Sequence, residues 1–172
     1  LVKKLVPKAS RIIEWCQKHW ANGQPYDGIL PKKDRILSPS DFGFHNSLQE
    51  PDGRIIFLDL EYFGWDDPAK LIVDFILHPA MNLSNELKND WIEGTKILFG
   101  PETMDRAKVM LPLVGLCWCI MLLNVYRSDI WLRRTQAQGG IDSEREQIQS
   151  RQLNRSERLL IELNEGYQKF PY

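Results

Sequence analysis

"ILSPSDFGFHNSLQEPDGRIIFLDLEYFGWDDPAKL", residues 36–71, is the stretch on which the fold turns. Ser47-Leu48 and Arg54 to Leu60 read as two arms of a hairpin, with Pro51-Asp52-Gly53 between them. Proline presets φ in such a turn and glycine accepts a positive φ. Ile55-Ile56-Phe57-Leu58 is a continuous apolar run, the pattern of a buried strand. Arg35-Ile36-Leu37 is a further short strand candidate, and Pro68 suits the first turn of a helix.

Outward from this β element the pattern is helical. On the N-terminal side, a helix opened by Pro7 puts Ile12, Ile13, Cys16 and Trp20 on one face and Lys8, Arg11 and Lys18 on the other. Asn22-Gly23 stops it, and a Gly- and Pro-rich loop runs to Pro31. On the C-terminal side, Leu71, Ile72, Phe75 and Ile76 form an apolar face, and a helix over about 84–98 follows. Gly100-Pro101 interrupts it. A long helical pattern then runs to about Arg134, bent near Pro112. Gln136 to Gly140 is a polar loop, and Asp142 caps a last helix carrying Leu153, Leu159, Leu160 and Leu163. Strands and helices do not alternate, which excludes a parallel sheet. The expected fold is mainly α with a small β-hairpin, in a single domain over residues 1–172.

The 172 residues fit one domain, and 43% hydrophobic with 26% charged residues marks a globular chain. A net charge of −1 argues against a broad nucleic-acid surface. The most apolar run, Val109 to Leu123, is shorter than the ~20 residues that span a bilayer and contains Pro112 and Gly115, so it reads as a buried helix with no membrane partner. Cys16, Cys117 and Cys119 cannot all pair within the chain, which points to a reduced, cytoplasmic setting.

Asp41 admits two readings. Asp41-Phe42-Gly43 spells the metal-binding triplet of protein kinases, which requires a His-x-Asp-x-x-x-x-Asn loop upstream. His19 is the only histidine upstream, and Ala21 stands two residues after it, so that reading fails. As the catalytic aspartate itself, Asp41 has Asn46 at the required spacing, a hairpin following, and Asp59 at the end of the second strand. Phosphoryl transfer needs a carboxylate for the proton of the attacking hydroxyl and oxygen ligands that hold Mg²⁺ against nucleotide phosphates. Mg²⁺ is satisfied by few protein ligands, so one amide and one carboxylate suffice.

The whole stretch resembles the aminoglycoside phosphotransferase and choline kinase superfamily, small-molecule kinases related to protein kinases. Pro39-Ser40-Asp41 stands where that family has His-Gly-Asp. Asn46 matches its Asn, Leu58-Asp59-Leu60-Glu61-Tyr62 its Ile-Asp-x-Glu segment, and Gly64-Trp65-Asp66-Asp67-Pro68 its Gly-Asp-Pro-like tail. The resemblance implies the C-terminal lobe of a protein-kinase-like fold. It makes Asp41 the base, Asn46 and Asp59 the Mg²⁺ and nucleotide ligands, and Asp67 a buried support that hydrogen-bonds the catalytic loop. It allows Glu61 to assist the metal or the substrate side and His45 to touch substrate or phosphate. It implies ATP as co-substrate and a small-molecule hydroxyl as acceptor. The family's N-terminal nucleotide lobe, with its phosphate-binding Lys, is expected to be absent from this chain. The competing expectation is a kinase-like binding or interaction module without catalysis, which Pro39 favours.

Other features read as structural. Cys117-x-Cys119 lies in an apolar helix with no second Cys pair and reads as core. Trp15, Trp91, Trp118 and Trp131 fall at helical spacings and read mostly as core, with Trp65 packed beside Gly64. His19 and His78 read as surface or helix-end residues, and local hydrogen bonding is the plainer role for His45.

Overall fold

In the computed structural model, residues 2–20, 28–137 and 144–169 are described. The chain is mainly helical with two small sheets. In order the elements are α1 (Val2–His19), β1 (Ile36–Ser38), β2 (Ser47–Gln49), β3 (Ile55–Phe57), β4 (Gly64–Asp66), α2 (Pro68–Leu77), α3 (Asn85–Met121), α4 (Ser128–Ala137) and α5 (Arg145–Gly166). The expected signals at Asn22-Gly23 and Asp142 lie outside the described residues, as does the polar loop from residue 138 onward.

Helix α3 is the scaffold. Ser84 caps it, its Oγ accepting from Leu87 N at 3.3 Å. One face packs on α2 through Ala69, Ile72, Val73 and Ile76 of α2 against Ile92, Ala107 and Leu111. Farther along, Val109, Leu116 and Cys119 meet Ile12 and Cys16 of α1 and Leu160 and Leu163 of α5. Gly115 lets α3 and α5 approach closely: a Cβ there would lie 2.5 Å from Leu163 Cδ2. Both cores thus hang on one helix, which accounts for part of its apolar composition: 39% of its most apolar 18-residue window is buried. An 18-residue window within 85–126 reaches a mean hydropathy of 2.1, so the stretch is long and apolar enough to cross a membrane, contrary to the shorter run read from the sequence. In the fold it serves as the central packing element.

Several boundaries differ from expectation. Helix α1 begins at Val2, so Pro7 sits in its second turn and not at its start. The loss there is one main-chain donor near a helix end, where few bonds depend on it. The interruption expected at Gly100-Pro101 is present, with Gly100 at φ +77°, a value that suits glycine, while the bend expected near Pro112 is not where the helix breaks. The long helical pattern to Arg134 is divided at residues 122–126 by a 3₁₀ turn. Cys119 is buried but Cys117 is exposed, so only half of that pair is core. Burial pushes the Cys16 thiol up to about 12 and that of Cys119 up to about 11.

The β region departs most. The hairpin forms, with β2 and β3 antiparallel in register Ser47↔Phe57, Leu48↔Ile56 and Gln49↔Ile55. Yet Ile55, Ile56 and Leu58 are all exposed, against the expected buried strand. An apolar run records that a strand is to be covered, not by what. Among the described residues only Phe57 is tucked in, against Phe42 at 4.4 Å between ring centroids. A strand not foreseen, β4, pairs with β1 in register Ile36↔Asp66, Leu37↔Trp65 and Ser38↔Gly64. Trp65 therefore points outward, 68% exposed, and does not pack beside Gly64. The β1–β4 ladder closes residues 39–63 into one excursion pinned at its base on α2.

Candidate active site

The excursion opens with a tight turn. Buried Ser38 Oγ accepts from Ser40 N at 3.2 Å, and Asp41 N donates to Pro39 O at 2.8 Å. Ser40 at the centre takes φ +59°, a left-handed conformation that a side chain disfavours. Such positions persist only where the surroundings fix them, and they gather at functional sites. Asp59, at φ +56°, is a second one. Aromatic packing holds the loop down: Phe42 lies against Phe57, Phe75 and Trp91, and Phe75 stacks on Trp91 at 4.0 Å.

The turn presents Asp41, whose carboxylate collects three side chains. Asn46 Nδ2 donates to Asp41 O at 3.1 Å and to Oδ2 at 3.3 Å. His45 Nε2 donates to Oδ1 at 3.0 Å. His78 Nε2, from the C-terminal end of α2, lies 3.3 Å from the same oxygen. Ala80 N donates to His78 Nδ1 at 3.2 Å, which leaves the proton on Nε2. Burial first, and the neighbouring His45 next, push the His78 imidazole down to about 4, so it is neutral at physiological pH.

Asp41, His45 and His78 lie close enough to suggest a shared metal ion. The ring geometry opposes it. The imidazoles stack at 3.8 Å and 8°, so their in-plane lone pairs run parallel and do not converge. Ligation through His78 Nε2 would also displace the proton that the Ala80 bond keeps there. His45 is the donor to the carboxylate, and His78 stacks on it with Nε2 3.3 Å from Oδ1.

His78 is the residue that sequence reasoning missed. It does end a helix, as expected, but its side chain is only 11% exposed and faces the site. His45 makes the local hydrogen bond expected of it, and its Nδ1 is buried without a partner. His19 is exposed at the end of α1 and stacks on Trp15.

Asp59 follows the hairpin strand whose Leu58 N donates to Asn46 O at 2.8 Å, so its backbone adjoins the end of the Asp41 loop. Its side chain has no hydrogen bond or ion pair among the described residues. Tyr62 reports on the surrounding field: its phenol is raised above the ordinary value by a hydrogen bond and charge from Glu61, and further by the charges of Asp59 and Asp41. All three carboxylates thus act on one ring.

Asp67 departs from expectation. It caps α2, with Oδ1 accepting from Ala69 N at 2.8 Å. Arg106 grips it from α3, Nε to Oδ2 and Nη2 to Oδ1, each at 3.1 Å. Among the described residues it makes no hydrogen bond to the Asp41 loop; it fastens α2 to α3. Beside it, Lys70 bridges Asp66 at 3.1 Å and Asp74 at 2.8 Å, and Trp118 Nε1 donates to Asp74 Oδ1 at 3.3 Å.

Comparison with protein-family models, curated proteins and solved structures finds no match to this chain.

His78 gives the fold a pH dependence. Its folded value lies below the ordinary 6.5, so between those two values the unfolded chain binds the proton that the folded chain refuses. Stability is therefore full above 6.5 and declines as pH falls toward about 4. Urea midpoints measured between neutral pH and pH ~5 should fall with acidification, with a shallower slope in His78→Gln. An unchanged slope in that variant would show that His78 protonates as readily folded as unfolded.

Proposed function

We propose that this chain is the helical C-terminal lobe of a protein-kinase-like phosphotransferase that uses ATP and Mg²⁺ to phosphorylate a hydroxyl of a small molecule. The observation that carries the reading is the Asp41–Asn46 pair on one strained loop, with Asp59 presented beside it from the adjoining strand end. Ser40 adds support: its left-handed φ is what glycine accommodates, and glycine is the residue the resembling family has there.

The residues fit the ion. Asn46 spends its Nδ2 on Asp41, which leaves its carbonyl oxygen to ligate. Asp59 offers a carboxylate with no protein partner among the described residues, and both groups are hard oxygen donors. Bound there, Mg²⁺ would neutralise phosphate charge as it builds up during transfer. Asp41 orients the acceptor hydroxyl and receives its proton. Oδ2 is the oxygen for this, since it holds a single long hydrogen bond while Oδ1 accepts from His45 at 3.0 Å and has His78 Nε2 3.3 Å away. The hydroxyl oxygen forms a bond to the γ-phosphorus, the bridging P–O bond breaks, and ADP leaves with the electron pair.

The open hairpin agrees with this assignment. Leu48, Ile56, Leu58, Leu60, Tyr62 and Trp65 are each exposed, apolar area of the kind a nucleotide lobe would cover. Three free cysteines accord with a cytoplasmic setting.

Mn²⁺, a paramagnetic stand-in for Mg²⁺, tests the site. Added with ATP, it should broaden the amide resonances of Asn46 and Asp59 first, and Asp59→Ala should remove that selectivity. Broadening confined to other acidic surfaces, such as Asp52 or Asp129, would overturn the assignment.

A further inference from the structure

A cleft of about 640 Å³ lies between the end of α2, the start of α3 and α5. His78 lines it, and the same imidazole has its Nε2 3.3 Å from Asp41 Oδ1, so one side chain separates the cleft from the carboxylate. The cleft is lined by Lys88, Arg155, Arg158 and Lys169, against only Glu162 and Glu165. That excess of positive charge belongs to a chain whose net charge is −1.

The cations are also disposed to receive a ligand. Arg155 donates through Nη2 to Pro79 O and through Nη1 to Gln152 Oε1 at 3.4 Å, which fixes its guanidinium next to His78. Its charge is felt there, being one of the influences that lower the His78 imidazole. Arg158 and Lys169 are exposed and form no ion pair among the described residues. Clefts lined by one sign of charge concentrate ligands of the other sign. Guanidinium groups match carboxylate and phosphate oxygens two at a time.

We infer that the acceptor is an anionic hydroxy compound, whose carboxylate or phosphate sits among Arg155, Arg158, Lys88 and Lys169 while its hydroxyl reaches Asp41. An amine-bearing acceptor would meet like charge at the cleft. The inference rests on the phosphotransferase reading for the role of Asp41, but the selectivity of the cleft is tested by binding alone.

Calorimetric titration should use D-glycerate and glycerol 3-phosphate as anionic probes, glycerol as the neutral one and ethanolamine as the cationic one. Both anions should bind more tightly than glycerol, and the order of the two tells a carboxylate site from a phosphate site. Arg158→Gln should weaken the better anion about tenfold, the scale of one lost charge-assisted hydrogen bond. Glu162→Gln should strengthen it, an opposite change that damage to the fold cannot mimic. Raised salt should weaken the anions and spare glycerol. Equal binding of all four probes, or preference for ethanolamine, overturns the inference. Anion binding with these responses upholds it even if ATP yields no phosphorylated product, a result that would count against the phosphotransferase reading only.

Discussion

Asp41→Asn should lower phosphoryl transfer by about 10²- to 10⁴-fold, the span that a positioned general base contributes. The substitution keeps the shape of the side chain and removes its capacity to take a proton. It also sets two donors against each other. His45 donates to Oδ1, so the carbonyl of the new amide must stay there, and its NH₂ then faces Asn46 Nδ2. ATP binding should change far less than kcat, because the groups proposed to hold the metal and nucleotide are Asn46 and Asp59. The measurement is steady-state kinetics with ATP and acceptor varied in turn. Wild-type turnover in Asp41→Asn would remove Asp41 from the chemistry.

The second large effect concerns stability. Asp67→Ala should cost about 3–5 kcal/mol, because it strands the Arg106 guanidinium in a largely buried position, and a further ~1 kcal/mol for the lost cap of α2. The side chains of Arg106 and Asp67 are only 17% and 15% exposed, so solvent screens little of this interaction. Such a loss is a large share of the ~5–15 kcal/mol that holds a typical domain together. Paired with Arg106→Leu, the double variant should recover much of it, since an apolar pair removes the uncompensated charge. Urea unfolding of the two single variants and the double variant gives the coupling directly. A cost under ~1 kcal/mol for Asp67→Ala would place the pair with ordinary surface ion pairs.

What the sequence made legible follows from how local each signal is. Ile12 and Cys16, or Ile72 and Ile76, recur at helical spacing because a single face meets a core, and these four are buried as read, whereas Ile13, assigned to the same face of α1, is exposed. The hairpin was legible from Pro51-Asp52-Gly53 because turn chemistry involves few neighbouring residues. Its exposure was not, since Ile55 and Ile56 carry the same apolarity whatever covers them. Strand β4 went unseen because Gly-Trp-Asp has no strand signature until β1 lies beside it. His78 was missed for the same reason. A lone histidine ending a helix is unremarkable until the fold brings it to a carboxylate 37 positions earlier in the chain. Asp67 was read as a support for the Asp41 loop, but its partner is Arg106 on α3, a tertiary fact that spacing does not encode.

The β1–β4 ladder has a consequence for how this molecule could change. Everything from Pro39 to Phe63 leaves the helical body and returns to it at adjacent points, Ser38 and Gly64 being paired. Lengthening such a closed segment costs little chain entropy, about 0.6 kcal/mol for each doubling. The tip at Pro51-Asp52-Gly53 is thus a natural place for a tag, a reporter or an inserted module. Chemistry and scaffold can drift at different rates, the first inside the closed segment and the second in the helices beneath it.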